Sequence, residues 1–172
     1  MDMVFPGLRA MENIHPVVVH FPIVLLPLAL LFQVWALRRG NNGQRIALWL
    51  LWLGTLGALA AATTGLLAEA GVEHSEAAHE VMEMHKTLML TTTGLGALLS
   101  MLALVCRRRL TRGVQLLLLG GLLVLSGVLT VGADRGGQLV FQYGVGVQKP
   151  AVEPTPGGAP ASVPEPEHNH EH

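Results

Sequence analysis

Four stretches free of Asp, Glu, Lys and Arg, at 16–37, 46–68, 87–106 and 113–133, limit what this chain can fold into. A helix rises about 1.5 Å per residue and needs about 20 apolar residues to cross the hydrocarbon core of a bilayer. Each stretch reaches that length. A soluble four-helix bundle would carry a polar face beside each apolar stripe, and these segments carry almost none. Hydrophobic residues make up 51% of the chain and charged residues 13%, against roughly 25% charged in soluble domains. The expected fold is all-α: an integral membrane four-helix bundle embedded in the lipid bilayer, with helices at about 16–37, 46–68, 84–106 and 114–133.

Within 172 residues this leaves one membrane domain, 13–147, between an outer lead-in at 1–12 and a Pro-, Glu- and His-containing tail at 148–172. The tail has too little apolar surface to build a core and reads as disordered. The first apolar segment is too long and too proline-rich for a cleaved signal core, so its helix is expected to be retained. A net charge of −1 gives no basis for nucleic-acid binding. The lone Cys106 excludes an internal disulfide and reads as an inert thiol near a helix end.

The basic residues set the orientation. Arg38, Arg39 and Arg45 lie in one short loop, and Arg107, Arg108, Arg109 and Arg112 in another. The positive-inside rule puts both loops in the cytoplasm, and both termini then face outward, to the periplasm of a bacterial inner membrane. The connection between the second and third spans also faces outward. It carries Glu69, Glu73, Glu76, Glu80 and Glu83 with no base before Lys86, and it should turn helical after Gly71.

The first span opens Asn-Ile-His-Pro-Val-Val-Val-His-Phe-Pro from Asn13. Asn13 suits an N-cap and Pro16 a first turn. Pro22 and Pro27 should kink the helix or open space beside it, with the kink just beyond His20. The second span shows Trp49 and Trp52 at its cytoplasmic end and a small-residue stripe, Gly54, Ala58, Ala61, Ala62 and Gly65. Close helix packing accounts for that stripe better than a flat cofactor does. After the fourth span, 139–147 alternates weakly, is rich in glycine and reads as extended. No internal repeat is obvious, although the first and third helices both begin with outward histidines.

The five histidines before the tail, His15, His20, His74, His79 and His85, fall on one side of the membrane by this topology, and neither cytoplasmic loop holds any. Ionisable residues within membrane segments are costly and mark function. Imidazole is the commonest metal ligand and an axial ligand of many haem irons. His15 and His20 are five apart and diverge by roughly 140° on a helix, so one helix cannot chelate an ion with both. A site must join helices, and His20 facing His85 would supply the two axial imidazoles of a six-coordinate haem b. Arg135 or Lys86 would then pair with its propionates.

The rival is a Cu or Zn site built from His15, His20, His79, Met82 and His85, since thioether and imidazole suit copper. The tail's His168, His170 and His172 would add a weak chelating site. Glu76 and His79 have the spacing of di-iron carboxylate bundles, but those need two such motifs and only one is present. A third reading is a structural subunit of a respiratory complex that binds nothing. No nucleophile–base arrangement, phosphate loop or paired catalytic carboxylate appears, which argues against a hydrolytic enzyme.

The motifs running from Asn13 through His15-Pro16 to His20-Phe21-Pro22-Ile23, and from Gly136-Gly137 through Leu139-Val140-Phe141 to Gly144-Val145-Gly146-Val147, resemble the bacterial membrane-protein family called domain of unknown function 2231. The resemblance covers about 13–147. His15 and His20 match the first motif, and His85 fits the place where a histidine opens the third helix. Phe141 stands where tyrosine is common, and the His-rich tail departs from the pattern. The resemblance implies a four-helix inner-membrane protein similar in layout to membrane b-type cytochromes. It also implies electron transfer with a c-type cytochrome or another respiratory protein as partner.

The resulting expectation is a membrane b-type haem protein that relays electrons near the outer face. Its haem would lie between His20 and His85, with His15 and His79 as supporting residues or ligands of a second centre.

Overall fold

The computed structural model describes residues 11, 13–39, 41–69, 71 and 76–147. His74, most of the lead-in, and the tail with His168, His170 and His172 lie outside the described residues. Every regular element among them is a helix: α1 His15–Val18, α2 His20–Arg39, α3 Asn41–Glu69, α4 Glu76–Cys106 and α5 Arg112–Phe141. α1 and α2 together make the first span, and four helices are long and apolar enough to cross a membrane.

α2 packs on α3, α3 on α4, α4 on α5 and α5 back on α2, whereas the diagonal pairs stand farther apart. The helices therefore run up, down, up and down around one core. Leu26, Leu51, Leu118, Leu122 and Leu125 form its fully buried centre. The outer surface is as apolar as the core, with Leu31, Leu98, Val105 and Leu123 all exposed. Water would not tolerate so continuous an apolar surface on a monomer, whereas a bilayer requires one.

Charge separates along the bundle. Arg38, Arg45, Arg107, Arg108, Arg109 and Arg112 gather at one end, where Arg112 Nη1 donates to the Leu37 carbonyl at 3.0 Å. The described acids, Glu69, Glu76, Glu80, Glu83 and Asp134, lie at the other end with the histidines. These are called the arginine end and the histidine end below.

Several boundaries differ from the sequence expectation. α3 begins at Asn41 rather than near Ile46. The outer connection turns helical at Glu76, as its sequence suggested. α5 continues through Gly132, Gly136 and Gly137 to Phe141 instead of ending near 133. The extended reading of 139–147 fails with it. Gly132 and Gly136 lie against Met89 and His85 of α4, so they lack a Cβ for close packing and do not break the helix. Among the described residues only Gly144 and Gly146, at φ 64° and 72°, use glycine's left-handed freedom, in the turns after the helix.

The first span starts with Pro16 in its opening turn and with no side-chain bond from its formal cap, Ile14. Asn13 acts one residue earlier, its Oδ1 accepting the His15 N–H at 3.1 Å. The helix is interrupted at Val19, one residue before His20 rather than beyond it. Pro22 accounts for this, since it lacks the amide that would bond to the Val18 carbonyl. Regular bonding resumes with Ile23 N–H to Val19 O at 3.3 Å.

The two helical hairpins share one register. Buried Pro22, Leu26, Ala29 and Gln33 of α2 correspond, 70 residues on, to buried Thr92, Gly96, Leu99 and Ala103 of α4. Buried Ala47, Leu51, Gly54, Ala58 and Ala61 of α3 correspond, 71 residues on, to buried Leu118, Leu122, Leu125, Leu129 and Gly132 of α5. Side-chain sizes exchange across the relation. Leu26 fills the space at Gly54 in the first hairpin, while Leu125 lies over Gly96 in the second. The repeat exists in the packing where the letters do not show it.

Candidate functional site

His15 and His85 hold equivalent places at the histidine end. His15 lies at the start of α1, and its ring rests on α3. Its Nδ1 is 3.0 Å from the Ala61 carbonyl and 3.2 Å from Thr64 Oγ1. The Thr64 hydroxyl donates to the carbonyls of Ala60 and Ala61. A carbonyl only accepts, so the bond requires a proton on Nδ1. His85 lies on α4 with its ring on α5, and its Nδ1 donates to the Gly132 carbonyl at 2.8 Å.

Both rings therefore take the same tautomer when neutral, with Nδ1 protonated and the Nε2 lone pair unused. A Cβ at Gly65 would stand 2.9 Å from His15 Cε1, and one at Gly136 2.9 Å from His85 Cε1. In each half the carbonyl residue and the glycine are four apart on one helix, so a ring lies along one turn of backbone.

The neighbours differ between the halves. Thr64 corresponds to Arg135 in the shared register. Arg135 Nη1 donates to Gln138 Oε1 at 2.9 Å, and its Nε is buried with no partner among the described residues. Lys86 is committed elsewhere: it joins α3 to α4 through Glu69 at 2.8 Å and also pairs with Glu83. Of the two cations expected to meet propionates, Lys86 is already paired with two carboxylates, whereas Arg135 has no carboxylate partner among the described residues.

The structure turns His15 and His85 onto the next helix in matching ways and leaves His20 apart. His20 is exposed on α2, and its side chain has no hydrogen bond among the described residues. His79 is exposed in the first turn of α4, and Met82 is buried against the bundle. Among the described residues no three His, Cys, Asp or Glu side chains come together as a metal site would. The expected metal set of His15, His20, His79, Met82 and His85 is not assembled. The stripe along α3 packs side chains as its spacing suggested, with Leu26 against Gly54 and His15 against Gly65.

A family model described as a predicted membrane protein, domain of unknown function 2231, matches residues 11–149. The chain belongs to this family. No curated protein matches it, and no solved structure does. The matched span of this DUF2231 chain holds both imidazoles and all four membrane helices.

Sequence reading missed Thr64 and the two carbonyls, because backbone acceptors leave no mark on residue type. It also missed a polar cluster inside the arginine end. There Gln44 Nε2 donates to Gln33 Oε1 at 2.9 Å, and Gln33 Nε2 donates to the Gln115 carbonyl at 3.0 Å. Gln44 and Gln115 correspond in the shared register, and that recurrence was the available signal.

Proposed function

We propose that His15 and His85 are the axial ligand pair of a membrane redox centre, with haem b as the bound group. The observation that carries this reading is the matched commitment of both Nδ1 atoms to backbone carbonyls. Such a bond fixes the ring and the tautomer, raises the basicity of the other nitrogen and leaves Nε2 to bind metal. Two imidazoles from two hairpins would hold the iron of such a group through their Nε2 atoms. The donor set fits that group, with His15 here taking the ligand role first assigned to His20.

Bound haem b supplies one-electron exchange at its iron. The protein's own residues orient and neutralise. Ala61, Thr64 and Gly132 hold the imidazoles, and Gly65 and Gly136 let them lie on the helix backbones. Arg135 would hold a propionate through its buried Nε, which would satisfy an otherwise costly buried donor. Lys86 holds Glu69 and Glu83, limiting loose negative charge beside the pair.

The arginine end faces the cytoplasm by the positive-inside rule, and the histidine end faces the periplasm of an inner membrane. A c-type cytochrome or another respiratory protein would then exchange electrons on the histidine side.

The test is a visible spectrum of detergent-purified protein before and after dithionite. A sharp reduced band that vanishes in His15→Ala and in His85→Ala, and survives in His20→Ala, supports the reading. A protein that stays colourless after reconstitution with haem overturns it, and stoichiometric copper or zinc in that protein would shift the centre to a non-haem ion.

A further inference from the structure

We propose that a groove between α3 and α4 at the arginine end binds an anionic phospholipid from the bilayer, with the headgroup phosphate at Arg107. The groove is lined by Trp52, Ala97, Ser100, Met101, Leu104 and Arg107. Ala97, Met101 and Leu104 are exposed along one side of α4, and Trp52 of α3 forms the facing wall.

The polar groups inside the groove are already engaged. Trp52 Nε1 donates to the Ser100 carbonyl at 3.4 Å, and the Ser100 and Thr55 hydroxyls bond at 3.0 Å. An occupant therefore meets an apolar trough, which suits an acyl chain and offers nothing to a polar solute.

The mouth is the opposite in character. Arg107 is exposed, begins an Arg-Arg-Arg turn and has no carboxylate partner among the described residues. All described acids lie at the far end of the bundle. An apolar trough with an unneutralised guanidinium at its membrane-facing mouth matches a phospholipid's two parts. Arginine pairs with phosphate through two parallel N–H bonds, and basic pockets between membrane helices attract anionic headgroups. This proposal uses no residue of the imidazole pair, and either can fail without the other.

The test is thermal unfolding and native mass spectrometry of delipidated full-length protein in mild detergent, with phosphatidylglycerol, phosphatidylcholine or inorganic phosphate added. Phosphatidylglycerol is expected to stay bound and raise the melting temperature, whereas the other two do neither. Arg107→Gln should weaken phosphatidylglycerol binding roughly fivefold, the usual effect of one basic residue at an anionic surface. Ala97→Leu should weaken it by filling the trough with charge unchanged. Arg38→Gln, at the end of the diagonally placed α2, should leave it intact. Equal binding of phosphatidylcholine, equal losses in Arg107→Gln and Arg38→Gln, or retention by inorganic phosphate alone would overturn the proposal.

Discussion

His15 and His85 are held alike by the two halves of the bundle. Each donates from Nδ1 to a carbonyl on the next helix, Ala61 or Gly132, and each lies on a glycine four residues further along, Gly65 or Gly136. The pair therefore depends on two missing side chains as much as on two imidazoles. A methyl at either glycine would meet ring carbon at 2.9 Å, closer than side chains pack.

Gly65→Ala and Gly136→Ala should each push a ring off its carbonyl. Overpacking a filled site costs about 1–3 kcal/mol, which a melting curve in detergent reads directly. Gly120→Ala and Gly127→Ala are the controls, because nothing lies within 4 Å of a Cβ at either position. They should be neutral or gain about 0.5–1 kcal/mol, as alanine orders a helix better than glycine. Equal losses in all four variants would mean that glycine matters to the helices and not to the histidines.

Asn13 ties the His15 amide through its side-chain oxygen at 3.1 Å. Asn13→Ala removes that acceptor at a helix start and should cost about 1 kcal/mol. It should also loosen the His15 ring, seen as a shift of the His15 imidazole signals in NMR with those of His85 unmoved. Asn13→Asp keeps an acceptor and should restore both readouts.

Lys86 links α3 to α4 through Glu69 and also pairs with Glu83, yet all three side chains keep solvent access. Exposed ion pairs contribute about 0–1 kcal/mol because water and salt screen them. Lys86→Met should therefore move the melting temperature only slightly, and the difference should shrink further in high salt. A larger, salt-insensitive loss would show that the cluster is effectively dehydrated.

The spans were legible because hydrocarbon admits only long apolar helices, and no packing detail can override that. The histidine end was legible for a similar reason: charge and imidazole are excluded from the spans and collect where they are tolerated. The matched pair, His15 with His85, was not legible. Helical spacing shows that His15 and His20 point apart, but which one turns inward depends on the interruption that Pro22 causes at Val19. The end of α5 was misplaced because Gly136-Gly137 reads as a breaker in isolation, whereas Gly136 is the surface on which His85 lies. The repeated register was hidden because packing conserves volume across a contact. A leucine over a glycine can exchange sides, as Leu26 over Gly54 and Leu125 over Gly96 do, and no letter is then shared.

The buried glutamines give the last prediction. Gln33 and Gln44 exchange amide hydrogen bonds at 2.9 and 3.4 Å while both are buried, and Gln33 also reaches the Gln115 carbonyl. Removing one partner strands the other where water cannot replace it. Gln44→Leu or Gln33→Leu alone should cost about 1–3 kcal/mol by that desolvation. The double variant removes both polar groups and should cost less than the sum of the singles. Gln33→Leu also frees the Gln115 carbonyl, so it should be the worse of the two. Coupling across membrane helices averages about 0.6 kcal/mol, which sets the size to look for in a double-mutant cycle of unfolding free energies. Strict additivity would mean that water already reaches the cluster from the arginine end.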